Sequence, residues 1–321
     1  MTAGRVQAPD HDGARVALLR LVETEAEQRI GEAAMAINQA LLARFKGGAL
    51  ATLFYGSCLR TPTAGPGDDR IHDFYVVVDD LRAANRGALA AWGNRVLPPN
   101  VFRLELTTDA GRLRCKYGVV GLAQLRHAVS TEARDSYFWA RLCQPTAVPF
   151  ARGAAMRREI VALLAEAVAT AAAATAPSFG RRFTPRELWR RVFADSYGRE
   201  LRPESAERVA SLHDLQASRF TVVTRFALDA AGFTVERSDD DGFRLLSAPP
   251  PPRLSRARGK LMSALRLSKA AFTFEGGADY LVWKIERHAG KRLAITPWQR
   301  RHPLLSAPLL AWRWWRSGAF R

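Results

Sequence analysis

Apolar residues recur at helical intervals from about Ala14 to Phe45 (Leu18, Leu19, Leu21, Ile30, Ala34, Ile37, Leu41, Leu42), which predicts one or two amphipathic helices closed by Lys46-Gly47-Gly48. The pattern then tightens. Ala49 to Tyr55 reads as a strand that ends at Gly56-Ser57, and Ile71 to Asp79 reads as a second. Between them, Thr61 to Arg70 is a loop, marked by its glycines and by Pro62 and Pro66. Side chains alternate along a strand, so Asp73, Tyr75, Val77 and Asp79 share one face. Asp79-Asp80 is expected to cap a helix over Leu81 to Trp92. Val101 to Leu106 alternates like a third strand, and after the Asp109-Ala110-Gly111 turn Leu113 to Val120 re-enters the sheet. Leu122 to Val129 and Arg134 to Cys143 read as helices, with Pro145 beyond the second.

From Met156 to Ala176 a long Ala-rich helix carries Ile160, Leu163, Leu164 and Val168 on one stripe. It is expected to lead into a second, mainly helical part. Thr184-Pro185-Arg186-Glu187 has the form of a capping box with proline at the first helical position. Ser211 to Ala231 supplies another helix. Phe233 to Glu236 and Gly242 to Leu246 then read as a β-hairpin about the acidic turn Ser238 to Asp241. Helices followed by a hairpin suggest a winged-helix-like unit. Pro249 to Pro252 is a stiff linker to a basic helix over Arg253 to Leu267, with another over Lys269 to His288. The expected class is α+β: a mixed sheet with flanking helices in residues 1–150, a helical, winged-helix-like part in 151–250 and a basic helical C-terminal region in 251–321.

The charge is unevenly placed. Of the formal +17, residues 253–321 hold twelve, from fifteen Lys or Arg against Glu275, Asp279 and Glu286. Such a field attracts nucleic acid or an anionic membrane surface, and it also serves plain solubility. Five of the eight tryptophans lie between Trp283 and Trp315, interleaved with arginine, as an interfacial anchor requires. Docking of this tail on its own domain or on a second subunit is the rival reading. Nothing at the N-terminus reads as a signal peptide, and no uninterrupted apolar stretch is expected to span a bilayer. The three cysteines, Cys58, Cys115 and Cys143, lack zinc spacing and do not form a disulfide framework, which fits a reducing compartment.

The chemistry gathers around Gly56-Ser57 and Asp73. Glycine lets backbone approach a phosphate closely, and successive N–H groups in a tight turn form an anion-binding hollow. A carboxylate opening the next strand suits Mg²⁺, which shares hard oxygen ligands with substrate phosphates. A Gly-Ser turn followed by an acidic strand is the pattern of the nucleotidyltransferase superfamily that includes DNA polymerase β. By itself the dipeptide is also a common turn, and a surface hairpin with a solvated Asp would read the same way. Three other stretches extend the likeness: Arg112 to Val120 (RLRCKYGVV), Ser136 to Pro145 (SYFWARLCQP), and, more weakly, Ser196 to Arg202 (SYGRELR) with Ser268-Lys269-Ala270 beyond it. In this order the chain resembles the mitochondrial-type phosphatidate cytidylyltransferases of the translocator assembly and maintenance family.

That resemblance implies transfer of CMP from CTP to phosphatidate, with release of pyrophosphate, at the inner face of the cytoplasmic membrane. The implied partners are CTP and phosphatidate in an anionic bilayer, with Mg²⁺ as cofactor and no nucleic acid. Tyr55, Gly56 and Ser57 would take the triphosphate together with Lys116, Tyr117 and Arg141. Asp73 would hold the metal, and Lys116 would offset charge on the departing pyrophosphate. A lysine within an apolar strand is costly unless it meets an anion, although an edge strand would leave it in water. Arg141 has a structural salt bridge as its competing role. Many relatives in the wider superfamily carry a second acid two residues after the first, where this chain has Tyr75, so the second metal ligand is open. Glu105 is the candidate, against a surface pair with an arginine. Two other classes stay open: a nucleotidyltransferase acting on nucleic acid or another phosphorylated acceptor, and a membrane-binding protein without catalysis. Oligomeric state has no readable signature.

Overall fold

A computed structural model describes residues 11–61, 70–84, 88–108, 111–180, 182–199, 211–238, 242–252 and 254–273, with Thr296 and Trp298. The first half builds a five-stranded mixed sheet from β1 (Ala49–Tyr55), β2 (Ile71–Val78), β3 (Asn100–Thr108), β4 (Gly111–Gly121) and β5 (Ala147–Ala151), in the order β3-β4-β2-β1-β5. Only the β2–β4 pair is parallel. The bounds of β1 follow from its composition: all seven residues are buried, and Gly56 at φ 89° turns the chain out of the sheet.

Helices cover both faces of this sheet. α1 (His11–Ala26) buries Ala14, Leu18, Val22 and Ala26, one stripe at i, i+4 spacing. α2 (Glu32–Phe45) lays Ala34, Ile37 and Leu41 on the face formed by Phe54, Phe74, Val76, Val78, Cys115, Tyr117 and Val119. The opposite face presents Leu53, Tyr55, Tyr75, Val77 and Val120 to a larger core that continues into the helices of the second half. The one-turn α3 (Ser57–Arg60) follows the Gly56 bend. Beyond β2 come α4 (Leu81–Ala84) and α5 (Ala88–Val96), and Asp80 Oδ1 accepts the Arg82 N–H at 2.7 Å, as a capping residue does.

After β4, α6 (Leu122–Val129) and α7 (Trp139–Leu142) precede β5. The helix expected over Arg134 to Cys143 is reduced to its last turn. Asp135 Oδ1 accepts the Tyr137 N–H at 3.0 Å, a local bond that competes with helix initiation. β5 is an element the sequence pattern hides, since Pro149 interrupts it. Proline is tolerated there because β5 is an edge strand.

The second half is built on α8 (Gly153–Thr175), with β6 (Arg182–Phe183), α9 (Pro185–Gly198), α10 (Ala217–Ala230), β7 (Thr234–Arg237) and β8 (Phe243–Ser247) around it. The three short strands form a second sheet in the order β6-β8-β7. The whole is α+β. The expected capping box opens α9: Thr184 Oγ1 accepts the Glu187 N–H at 3.2 Å, and Glu187 Oε2 accepts the Thr184 N–H at 2.8 Å. Gly153 to Phe179 is long and apolar enough to cross a bilayer by length and composition, but Arg157, Arg158, Glu159 and Glu166 interrupt its apolar run and most of it is buried inside this fold. Helix α11 (Arg256–Thr273) runs on through Ser268, where two helices were expected, because nothing at Leu267 to Lys269 breaks the turn pattern. Most of loop 61–70, the acidic turn and nearly all of the Trp/Arg tail lie outside the described residues, as does the helix expected beyond Thr273; Trp298 is exposed.

One polar contact anchors the helical core. The buried Trp189 indole N–H donates to Thr224 Oγ1 at 2.9 Å. Thr224→Val keeps the shape but removes the acceptor, and is expected to cost about 1–3 kcal/mol, read as a lower urea midpoint at unchanged slope.

Candidate active site

Strand register brings the motif residues into one row. Tyr55 is paired with Asp73, Asp73 with Lys116, and Lys116 with Arg103, across β1, β2, β4 and β3. Directly paired residues share a face, so four side chains from distant stretches line up. Gly56 follows Tyr55 at the near end of the row. A Cβ at Gly56 would stand 3.2 Å from Asp73 Oδ2, so a residue without one both permits the positive φ and leaves the carboxylate room. Asp73 Oδ1 lies 2.9 Å from Lys116 Nζ. It is shielded from solvent and the contact is too poorly aligned to count as a hydrogen bond, so it is best described as an ion pair. Lys116 sits on an interior strand, not an edge, which answers the question its sequence context raised.

Aromatic rings wall this row. Tyr55 and Tyr75 stack at 5.0 Å, Phe138 lies 5.3 Å from Tyr75, and Tyr137 packs edge-on to Phe138. Burial pushes the Tyr55 and Tyr75 phenols well above 10, helped at Tyr55 by the neighbouring Tyr75 and by Asp73, with Arg141 working against the shift in both. Both therefore stay protonated, as donors and not bases. Tyr75 Oη has no well-aligned hydrogen-bond partner among the described residues, although the Tyr55 and Tyr137 hydroxyls are near enough to influence its titration.

Arg141 stands over the Tyr137 ring at 4.0 Å and donates to the Tyr137 carbonyl at 2.8 Å. Tyr197, from the Ser196 to Arg202 stretch, has its ring 6.0 Å from the same guanidinium. The bend is tied to the SYFWARLCQP stretch by Arg60, which donates to Gln144 Oε1 at 2.8 Å. Thus the Gly56 bend, Asp73, Lys116 and the Arg141 segment meet on one side of the sheet.

Two candidates are not brought there. Tyr117 belongs to the other face, fully buried against Phe102 at 5.5 Å and Phe45 at 6.2 Å. Neighbours on a strand point oppositely, so Lys116 and Tyr117 cannot both offer side chains to one nucleotide. Glu105 shares the face of Asp73 but lies two strands away, ~10 Å between backbones. There it is held by Arg103 Nη2 at 3.1 Å and faces Arg114 Nε at 3.5 Å, so it pairs with arginines and does not join Asp73 around a metal. Among the described residues no three His, Cys, Asp or Glu side chains cluster for a metal. Arg103 was missed by sequence reading. The signal was the period-two run of cations Arg112, Arg114, Lys116 facing Arg103 across the β3–β4 turn.

Helix α11 is docked beside the aromatic wall. Arg266 lies 4.3 Å over the Tyr137 ring and donates to Asp135 Oδ2 and to the Pro98 carbonyl, each at 2.9 Å. Lys269 Nζ donates to the carbonyls of Pro99 (3.0 Å), Gly93 and Leu97. So Lys269 is a clamp on the α5–β3 connection and not part of the Asp73 row. Burial, with Arg266 adding to it, lowers the Lys269 ammonium from 10.5 to about 7. A folded-state value below the unfolded one means the unfolded chain binds more protons between about pH 7 and 10.5, so this group makes stability rise with pH across that window. Thermal midpoints measured at both ends are expected to rise more in the wild type than in Lys269→Met.

Among known proteins, no family model and no curated protein matches the chain.

Proposed function

We propose that this protein is a nucleotidyltransferase that transfers CMP from CTP to phosphatidate, forming CDP-diacylglycerol and pyrophosphate. The observation that carries the reading is the meeting of the Gly56 bend with the Asp73 carboxylate, 3.2 Å from where a Cβ would stand, with Lys116 alongside. The choice of CTP and phosphatidate rests on the motif resemblance. A polymerase β-like sheet is supported by Asp73 opening the strand next to that bend. A winged-helix-like second part is supported by the order α8, β6, α9, α10, β7, β8 and by β8 lying between the other two strands.

One carboxylate is a modest metal set, yet Mg²⁺ commonly uses one or two protein carboxylates and fills its shell with water and substrate phosphates. Asp73, with Oδ2 beside a bend kept open by glycine and Oδ1 against Lys116, suits that mode and would be the residue that holds the ion. The ion would supply charge neutralisation at the phosphates. The chain's own residues then have separable tasks. The Gly56 bend admits the triphosphate close to backbone, and Ser57 adds a hydroxyl. Lys116, paired with Asp73 at rest, turns to the negative charge of the reacting and departing phosphates. Arg141 and the neutral Tyr55 line the side of the nucleotide.

In the reaction an ionised oxygen of the phosphatidate phosphate attacks the α-phosphorus of CTP. The α–β phosphoanhydride bond breaks, and its electron pair leaves on pyrophosphate. No proton need be removed from the nucleophile, so positioning and charge neutralisation carry the rate. The basic C-terminal region would hold the protein peripherally on the inner face of the cytoplasmic membrane. Purified protein incubated with CTP, Mg²⁺ and phosphatidate vesicles is expected to yield CDP-diacylglycerol and one equivalent of pyrophosphate. Absence of both would end the proposal, and products formed only on RNA or DNA would replace it with a nucleic-acid nucleotidyltransferase.

A further inference from the structure

The row of side chains does not stop at Lys116. Arg103 is its cross-strand partner on β3, and Arg114 and Glu105 form the adjacent pair on the same face. Lys116, Arg103 and Arg114 thus bring three cations together on the β3–β4 ribbon at one edge of the sheet, where among the described residues Glu105 faces the two arginines and Asp73 faces Lys116. They are part-exposed, with side-chain accessibilities of 40 %, 30 % and 27 %, so a ligand can reach them without displacing core.

We propose that this ribbon is the acceptor subsite, where Arg103 and Arg114 receive the phosphomonoester that attacks the nucleotide; this rests on the nucleotidyl-transfer reading. In phosphoryl chemistry of this kind the attacking and leaving oxygens are roughly in line on opposite sides of phosphorus. With the leaving pyrophosphate at the Gly56–Ser57 bend on the β1 side of Asp73, the nucleophile has to arrive from the β4–β3 side. Arg103 lies there, two strand spacings or ~10 Å from Asp73 along the sheet. A phosphomonoester carries a charge of about −1.5 to −2 at neutral pH and three acceptor oxygens, which guanidinium forks match in shape as well as sign. Glu105 is the resting counter-ion that keeps both arginines extended along the ribbon. Attack from this subsite forms the new oxygen–phosphorus bond to CMP and expels pyrophosphate at the far side, so no co-reactant is needed.

The test is a steady-state comparison of wild type with Arg103→Ala/Arg114→Ala, using phosphatidate in phosphatidylcholine vesicles and CTP with Mg²⁺. With both arginines gone, the KM for phosphatidate is expected to rise at least about tenfold while that for CTP stays within about twofold. Arg103→Lys/Arg114→Lys should recover part of the loss. Soluble glycerol 3-phosphate isolates the headgroup chemistry: competition with the lipid, weakened in the alanine variant, marks recognition of the phosphomonoester itself, and absence of competition overturns that recognition. An equal rise in the CTP KM would mean the arginines hold the triphosphate, and no change in either KM would mean they are a solvated face; both overturn the proposal. If wild type makes no CDP-diacylglycerol, the parent reading fails on its own, and calorimetric titration with glycerol 3-phosphate decides the subsite: binding lost in the alanine variant supports it, and equal or absent binding overturns it.

Discussion

Asp73→Asn is expected to lower CDP-diacylglycerol formation by about a thousandfold or more while leaving the protein folded. The amide has nearly the carboxylate's size, and part of the Asp73 side chain reaches solvent, so packing changes little. What is lost is, among the described residues, the acidic group that the Gly56 bend brings to the row. Removing one preorganised group that stabilises transition-state charge commonly costs about 10²–10³ in kcat, and a weakened metal adds to that. Product formation measured at saturating CTP and phosphatidate gives the activity, and an unchanged urea midpoint shows that the fold survives. A loss of less than about tenfold would remove Asp73 from the chemistry and leave the pair with Lys116 as a structural contact.

The second large effect is on stability and comes from a glycine. A Cβ at Gly118 would meet Cδ1 and Cε1 of Tyr75 at 2.8 Å and Pro99 Cβ at 3.3 Å. The Tyr75 ring cannot retreat, because it is buried between Tyr55 and Phe138. Gly118→Ala is therefore expected to destabilise by about 1–3 kcal/mol, the usual cost of overpacking a filled core. Gly198→Ala is the control. Gly198 ends α9 with open space where its Cβ would go, so the change should be near neutral or slightly stabilising. Urea denaturation of the two variants beside wild type measures the contrast. Equal midpoints would show that Tyr75 has freedom the packing denies it. Activity should fall with Gly118→Ala as well, since Tyr75 is two residues from Asp73 on its strand and Gly118 two residues from Lys116.

The site was legible where local rules act alone. Alternation and a turn glycine fix β1, the bend and β2, and once β2 pairs with β1 and β4 the meeting of Gly56, Asp73 and Lys116 is a matter of register. The same alternation argues against Tyr117, whose motif neighbourhood outweighed its parity in the sequence reading. Glu105 was misjudged for a different reason: its partners Arg103 and Arg114 follow from the β3–β4 register, which a single strand does not reveal. The shortened α7 and the edge strand β5 depend on Asp135 and Pro149, whose effect is set by what surrounds them. Least legible was Lys269, whose three carbonyl partners lie about 170 residues earlier in the chain, so its clamp exists only after the fold has formed.

If the bend and the carboxylate together grip a metal-bound nucleotide, calorimetric titration of CTP into the protein will register it. With Mg²⁺ present, CTP is expected to bind with one-to-one stoichiometry, and chelating the metal or substituting Asp73→Asn should weaken binding by about tenfold or more. CTP that fails to bind, or binds equally well without Mg²⁺ and in the Asp73→Asn variant, would contradict the account.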